Sequence, residues 1–584
     1  MKHLFKTTVY IFFFIFSFTH LASQELLEEI PLEQQVKKAT TIIEGKVVAK
    51  ESFWDNDYNL IYTVNTLEVN KVFKGEPVTQ VNVITMGGTI NENSLIVNPS
   101  LSLNYNDVGL ITLQESDIDL VDYNISNGKL YTPICTVQSF YKYNTFDNIV
   151  VNPFVTIPSI INFNLEVEKL TGITSKKMSL TNKDNNETKV VSSKAVLAPS
   201  NISFSPSSIG AGSQSQLTIT GSGFGNSNGI IFFKDPNNGG RGFLSTVNSD
   251  IISWTDTRIV VEVPSRAGTG TIVVRNSDGE ETESTNSLFV PYSLTNLGRS
   301  STQHMDLNGD GGLTWSINFD FARNTAANNA ALRAIETWRC ETGINWTVGE
   351  GTNINQNRND NVNVISFGDL PAGSIGITFV QGTTCNNGVF LITDVDIIMR
   401  RQNNGINWNF GPEPTTRFNN DFESTFLHEL GHAHLLGHVI NSRDLMNFSS
   451  TNGVDIRTPS NNNIIGANII MEHSTTRRVC RGQDLVVPFV CPTNSLADEI
   501  LGEDSEALRV FPNPNTGLFF IEGEPSLNLE RAVIFDVSGR LIKEIDLAGV
   551  TNSATVDLSG ASSGLYFVNI YYNNTKEVKK VLVE

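Results

Sequence analysis

His428-Glu429-Leu430-Gly431-His432-Ala433-His434-Leu435-Leu436-Gly437-His438 is the stretch on which the reading of this chain turns. On a helix, His428 and His432 lie one turn apart on one face, so both imidazoles can reach the same metal ion. Glu429 sits beside them, close enough to touch a water on that metal. Gly437 lets the chain turn back, so that His438 can supply a third nitrogen. Three protein ligands, an open fourth position and a carboxylate base form the pattern of a catalytic Zn2+ site. His434, two positions from His432, points elsewhere and is read as structural.

Working outward, the motif helix is expected to begin near Asn420, with Glu423 as capping partner. Phe422, Phe426, Leu430 and Ala433 would face the core. Upstream, Thr314–Phe319 reads as a strand and Ala326–Arg339 as a helix whose Ala330, Ile335 and Trp338 form one apolar stripe. Strands follow at Val362–Phe367, Ile375–Val380 and Val389–Arg400, and Pro459 opens a last helix to about His473. This gives an α/β (α+β) unit over residues 295–495. The spacing Asp306, Asn308, Asp310, Gly311 matches the start of a calcium loop. Position twelve is Ile317 rather than Glu, so a polar turn is the first reading and Ca2+ the alternative.

The chain has 584 residues and a low charged fraction of 17%, with much Gly, Asn and Ser, which suits several turn-rich extracellular modules. A net charge of −20 without clustered Lys and Arg argues against nucleic acid as a partner. Met1–Ser23 has the basic start, apolar centre and small-residue edge of a secretory signal peptide. No other segment could cross a membrane, so the mature chain is expected to be exported and free of transmembrane segments. Residues 24–180 alternate apolar and polar positions in short runs and read as an all-β domain of unknown role; Thr181–Ser193 reads as a linker. Export permits disulfides, and Cys340–Cys385 with Cys480–Cys491 are the expected pairs. Cys135 is then left over, as a buried thiol or, alternatively, as a latency switch on the zinc.

Two flanking segments carry family resemblances. Residues 199–291, with Pro206, Gly210, Thr218-Ile219-Thr220-Gly221 and Phe224-Gly225, resemble an immunoglobulin-like IPT/TIG domain, which implies a spacer or adhesive module. Residues 509–584 resemble a type A sorting domain of the type IX secretion system. That resemblance rests on Phe511-Pro512-Asn513-Pro514-Asn515-Thr516-Gly517, Asp536-Val537-Ser538-Gly539-Arg540, Gly564-Leu565-Tyr566-Phe567-Val568 and the closing Lys579-Lys580-Val581-Leu582-Val583. It implies the type IX secretion machinery as partner, removal of the tail, and a secreted or cell-surface location.

The motif, together with Asp444-Leu445-Met446-Asn447, resembles the metzincin clan of metalloproteases, particularly its matrixin-like members. By that resemblance His428, His432 and His438 are zinc ligands, Glu429 is the base and Met446 is the Met-turn residue beneath the metal. The family carries glycine where this chain has Leu435. A side chain there resists the left-handed turn, so the helix is expected to continue to Leu436 and turn at Gly437. Glu472 and Asp444 are the substitutes should His438 miss. By the same resemblance Val389–Arg400 would pair with an extended protein or peptide substrate by strand addition.

The overall expectation is a secreted, multidomain zinc endopeptidase: a metzincin-like catalytic domain flanked by all-β modules. Its rivals are a surface adhesion or binding protein whose metalloprotease-like domain is degenerate, and a zinc hydrolase acting on something other than peptides.

Overall fold

A computed structural model describes residues 27–124, 128–178, 197–297, 300–355, 357–385, 388–402, 404–449, 453–478, 484–491, 508–513, 515–523, 527–536, 541–549, 553–562, 564–573 and 575–583. The expected signal peptide, the Thr181–Ser193 linker and Cys480 lie outside the described residues. The chain divides into two compact units, one ending at Phe489 and the other running from Val490 to Glu584.

In the first unit the N-terminal region is a barrel. Strands Thr41–Trp54, Ile61–Lys74, Gln80–Met86, Leu130–Pro133 and Val108–Glu115 pair in that order, and the last pairs back on the first. Closure removes the edges that an open sheet would expose. The strands agree with the all-β expectation, and two helices, Leu32–Lys38 and Ile160–Thr171, accompany them, packed around Phe163 and Val167. A short hairpin also leaves the barrel, β1 (Gly88–Ile90) and β2 (Asn93–Asn98). Residues 200–283 contribute two four-stranded antiparallel sheets around one core of Leu217, Ile219, Phe233, Val261 and Val274, a sandwich as the alternating pattern requires.

The motif-bearing region is built on a mixed sheet of β3 (Leu313–Ile317), β4 (Trp346–Val348), β5 (Asn363–Gly368), β6 (Gly376–Thr384) and β7 (Phe390–Arg400). Their spatial order is β4-β3-β5-β7-β6, parallel except for β6, and β2 of the hairpin continues the sheet beyond β6. Three helices accompany it: α1 (Thr325–Thr342), α2 (Phe422–Ala433) and α3 (Asn461–Thr476), the last running a little beyond the expected His473. Every residue of α2 is buried, so this is a central helix with packing partners all round rather than an amphipathic surface helix.

The second unit consists of two antiparallel sheets, of three and four strands, around Phe519, Ile521, Ile534, Val556, Val568 and Ile570. Period-two alternation in Leu518–Gly523 and Ser553–Asp557 puts one side of each strand into that core.

Candidate metal centre

The start of α2 is set by Asp421, not Glu423. The Asp421 carboxylate accepts from the Ser424 amide at 2.8 Å and from the Ser424 hydroxyl at 2.6 Å, and it is paired with Arg457. Glu423 instead takes two bonds from the Arg333 guanidinium on α1, at 2.6 and 2.8 Å. Trp338 of α1 donates its indole N–H to the Leu427 carbonyl at 2.9 Å, which fixes the roll of the helix.

The helix stops at Ala433, earlier than expected, and Leu435 adopts a left-handed backbone with φ of +67°. That conformation costs a β-carbon-bearing residue about 1–2 kcal/mol. The Leu435 side chain is fully buried in the main core, and its carbonyl accepts from the Thr295 amide at 2.8 Å, so packing and pairing hold the strained turn. Leu436–Gly437 then pairs with Ser293–Leu294, and the Val439 amide bonds the Met446 carbonyl. These contacts carry His438 back toward the helix and bring Met446 beneath it. A β-carbon at Gly431 would collide with the Met446 sulfur, so that glycine permits the close approach.

His428, His432 and His438 come together. One ligating atom from each lies within 4.8 Å of the other two. Each ring is anchored through Nδ1: His428 on the Leu445 carbonyl at 2.6 Å, His432 on the Leu436 carbonyl at 2.8 Å, His438 on Asn237 Oδ1 at 2.9 Å. A carbonyl oxygen only accepts, so each Nδ1 carries the proton. Burial, together with the neighbouring imidazoles for His428 and His438, lowers all three pKa values, His432 to about 4. The rings are therefore neutral and their Nε2 lone pairs are free.

Two such nitrogens, on His428 and His432, lie 3.0 Å apart. With no proton to share they repel each other, and a divalent cation between them removes that conflict. The donor set, three neutral imidazoles with protonated far nitrogens, fits Zn2+.

Glu429 is 1% exposed. Thr378 on β6 donates to its Oε2 at 2.6 Å, which leaves Oε1 over Gly376, where a β-carbon would stand 2.6 Å away. Burial pushes this carboxyl up to about 8, with Thr378 opposing; a cation nearby would draw it down again.

Asn237, Thr378 and Gly376 were not found from the sequence. Asn237 belongs to the β-sandwich of residues 200–283, on a turn whose Asn237 amide bonds Asp235 at 3.0 Å, while Asp235 also pairs with Arg266 at 2.8 Å. That module therefore touches the site directly, although nothing in its sequence pattern points 201 positions ahead.

Other candidates fall elsewhere. Asp444 accepts from the side chains of Ser460, which caps α3, and of Asn463, and Glu472 is exposed on α3, so neither substitutes as a ligand. His434 packs among Trp338, Trp346 and His304. The Asp306 carboxylate accepts from the amides of Asn308, Gly309 and Gly311, and Asn308 donates to Asp310, the contacts of a polar turn. Cys135 is a free thiol buried beside the barrel, its pKa pushed up to about 11 by burial, and its sulfur is not among the converging ligand atoms. Cys340, Cys385 and Cys491 are disulfide-bonded. The strand expected to pair with substrate, Val389–Arg400, is interior: β7 lies between β5 and β6. A strand with two partners has no free backbone edge to offer a peptide.

Residues 509–584 match the family described as "Secretion system C-terminal sorting domain". The tail is a type IX sorting domain. The chain carrying it is secreted or attached to the cell surface, and among the described residues no helix is long and apolar enough to cross a membrane. No curated protein matches the chain. A solved structure described as "Biofilm associated protein - BSP domain" is similar over 93% of this chain and 81% of that chain, at 10% identity and a TM-score of 0.12, too low to support an argument.

Proposed function

We propose that this exported chain is a zinc-dependent endopeptidase of the matrixin-like metzincin type. One observation carries the reading: three buried imidazoles, each protonated and anchored at Nδ1, direct free Nε2 lone pairs to one place, next to a carboxylate with one oxygen held and the other free. Zinc, when bound, supplies a Lewis acid that polarises a carbonyl and lowers the pKa of water.

The protein's own groups do the rest. Thr378 fixes Oε2 of Glu429, so Oε1 is the atom that accepts a proton from the attacking water and returns it to the leaving amine. Gly376 leaves the space in which that oxygen works. Met446 fills the apolar floor under α2, and Asn237 holds His438 in one tautomer.

The test uses the full-length chain. About one zinc per chain is expected, retained in Glu429→Ala, while hydrolysis of casein or a peptide library by that variant falls by about 10²–10⁴-fold. Zinc-loaded protein that leaves peptides uncut in every form, including the opened variants described below, would instead support an adhesion protein with an idle site.

A further inference from the structure

The long edge of the mixed sheet is β6, and it is already occupied. β2 lies antiparallel along it, with Asn98 opposite Thr378, Val97 opposite Phe379, Ile96 opposite Val380 and Leu95 opposite Gln381. Alternation splits the side chains of β2 between two faces. Leu95 and Val97 join Ile377, Phe379 and Ile398 in a small core shared with the barrel. Ile96 packs against the main core on the α2 side, and Asn98 stands level with Thr378, the residue that holds Glu429. His438 opens onto a cavity of about 290 Å³, one wall of which is Leu95–Asn98.

The N-terminal region is also fastened to the chain at both ends of β6. Leu27 bridges Ser374, the Glu28 amide bonds the Gly373 carbonyl, the Thr384 amide bonds the Glu92 carbonyl, and Gln381 donates to the Asn59 carbonyl.

From this arrangement we infer that β2 is a built-in occupant of the edge at which an extended peptide substrate pairs, so that the N-terminal barrel holds the native chain latent. This rests on the peptidase reading above. A nine-residue edge strand beside the metal centre offers backbone donors and acceptors to any extended chain. A substrate laid along it would run antiparallel to β6 and take the places of Ile96 and Asn98. It would seat an aliphatic side chain where Ile96 sits and bring its backbone alongside Thr378 and Glu429. Substrate and β2 therefore compete for one ladder, and turnover is limited by the fraction of molecules in which β2 has left.

The test compares full-length native chain, Ile96→Pro and Val97→Gly, each also carrying Glu429→Ala for binding measurements. Proline removes a ladder donor; glycine keeps every donor and only weakens packing, so it decides the matter if the proline chain does not fold. The binding probe is a fluorescent peptide of residues 92–99, and activity is read on casein with zinc content determined alongside. In the opened variants casein turnover should rise by about tenfold or more, the inverse of the open fraction of the native chain. The labelled peptide should bind the opened chains and not the native one.

Equal turnover by native and opened chains overturns the inference while leaving the peptidase reading intact. Folded, zinc-loaded variants that neither bind the peptide nor cleave casein also overturn it. Peptide binding to the opened chains without any cleavage upholds the occupied edge and removes the peptidase reading instead.

Discussion

Two groups of buried histidines lie close together in the motif region, and they differ in what their nitrogens face. His428, His432 and His438 each bond one acceptor through Nδ1 and turn Nε2 toward one another. His304 and His434 are packed ring to ring, with Trp338 and Trp346 against His434. Thr342 bonds Nε2 of His434, while Nδ1 of His434 and Nε2 of His304 find no partner. Burial lowers the pKa in both groups. Neither burial nor a depressed pKa therefore marks a metal site. Convergence of the ligating atoms is what sets the first group apart, and the metal proposal rests on that geometry.

The sharpest way to break this comparison is to remove one member from each group. His432→Ala should take zinc from about one per chain to near zero, since three ligands are the minimum that a catalytic site retains. His434→Gln should keep its zinc and lose only stability. Loss of metal from both variants, measured by elemental analysis, would erase the distinction.

Acid acts on both groups, and His304 is the member whose share can be isolated without touching the metal site. His304 is fully buried and its pKa is lowered to about 4, against an ordinary 6.5. The unfolded chain binds this proton first, so the stabilising effect of keeping the ring neutral is complete above pH 6.5 and is lost as pH falls toward 4. The expected loss from this group is about 3 kcal/mol, and His304→Gln should make the fall in melting temperature across that window shallower by that share, the other buried histidines keeping theirs.

Smaller effects sharpen the account of the ligand supports. Asn237→Ala frees Nδ1 of His438 and should weaken zinc binding by about 10–100-fold in a chelator competition, with the fold unchanged by circular dichroism. Leu435→Gly relieves backbone strain of about 1 kcal/mol but leaves a hole in the core, so it should destabilise by about 1–3 kcal/mol in a denaturant melt while the zinc stays bound.

The two ends of the sheet show the same contrast between local and distant determinants. β4, at one end, has only Trp346–Val348, too short to recruit a partner, whereas β6 at the other end is long and is covered by β2. The strand at Val389–Arg400 was legible as a strand from its alternation, but its neighbours were not. Alternation reports which side chains are buried and not which strands flank the backbone. That is why the alternation of Val389–Arg400 could suggest a free pairing edge where the fold has an interior strand.

Glu423 and Leu435 show how local rules lost to packing. The capping role expected of Glu423 went to Asp421, because Arg333 was there to claim the Glu423 carboxylate. The turn expected at Gly437 moved to Leu435, because a fully buried side chain outweighed its φ preference.

The sequence by itself determined the three imidazoles, the adjacent carboxylate, the exported character and the sorting tail, since each is written within one helix turn, one loop or one short module. Tertiary structure alone decided that Asn237 bonds His438, that Thr378 holds Oε2 of Glu429 while Gly376 leaves room beside Oε1, and that Asn93–Asn98 covers the sheet edge. Those contacts join residues tens to hundreds of positions apart. A local pattern carries no information about such distances until the chain has folded and its cores have chosen their neighbours.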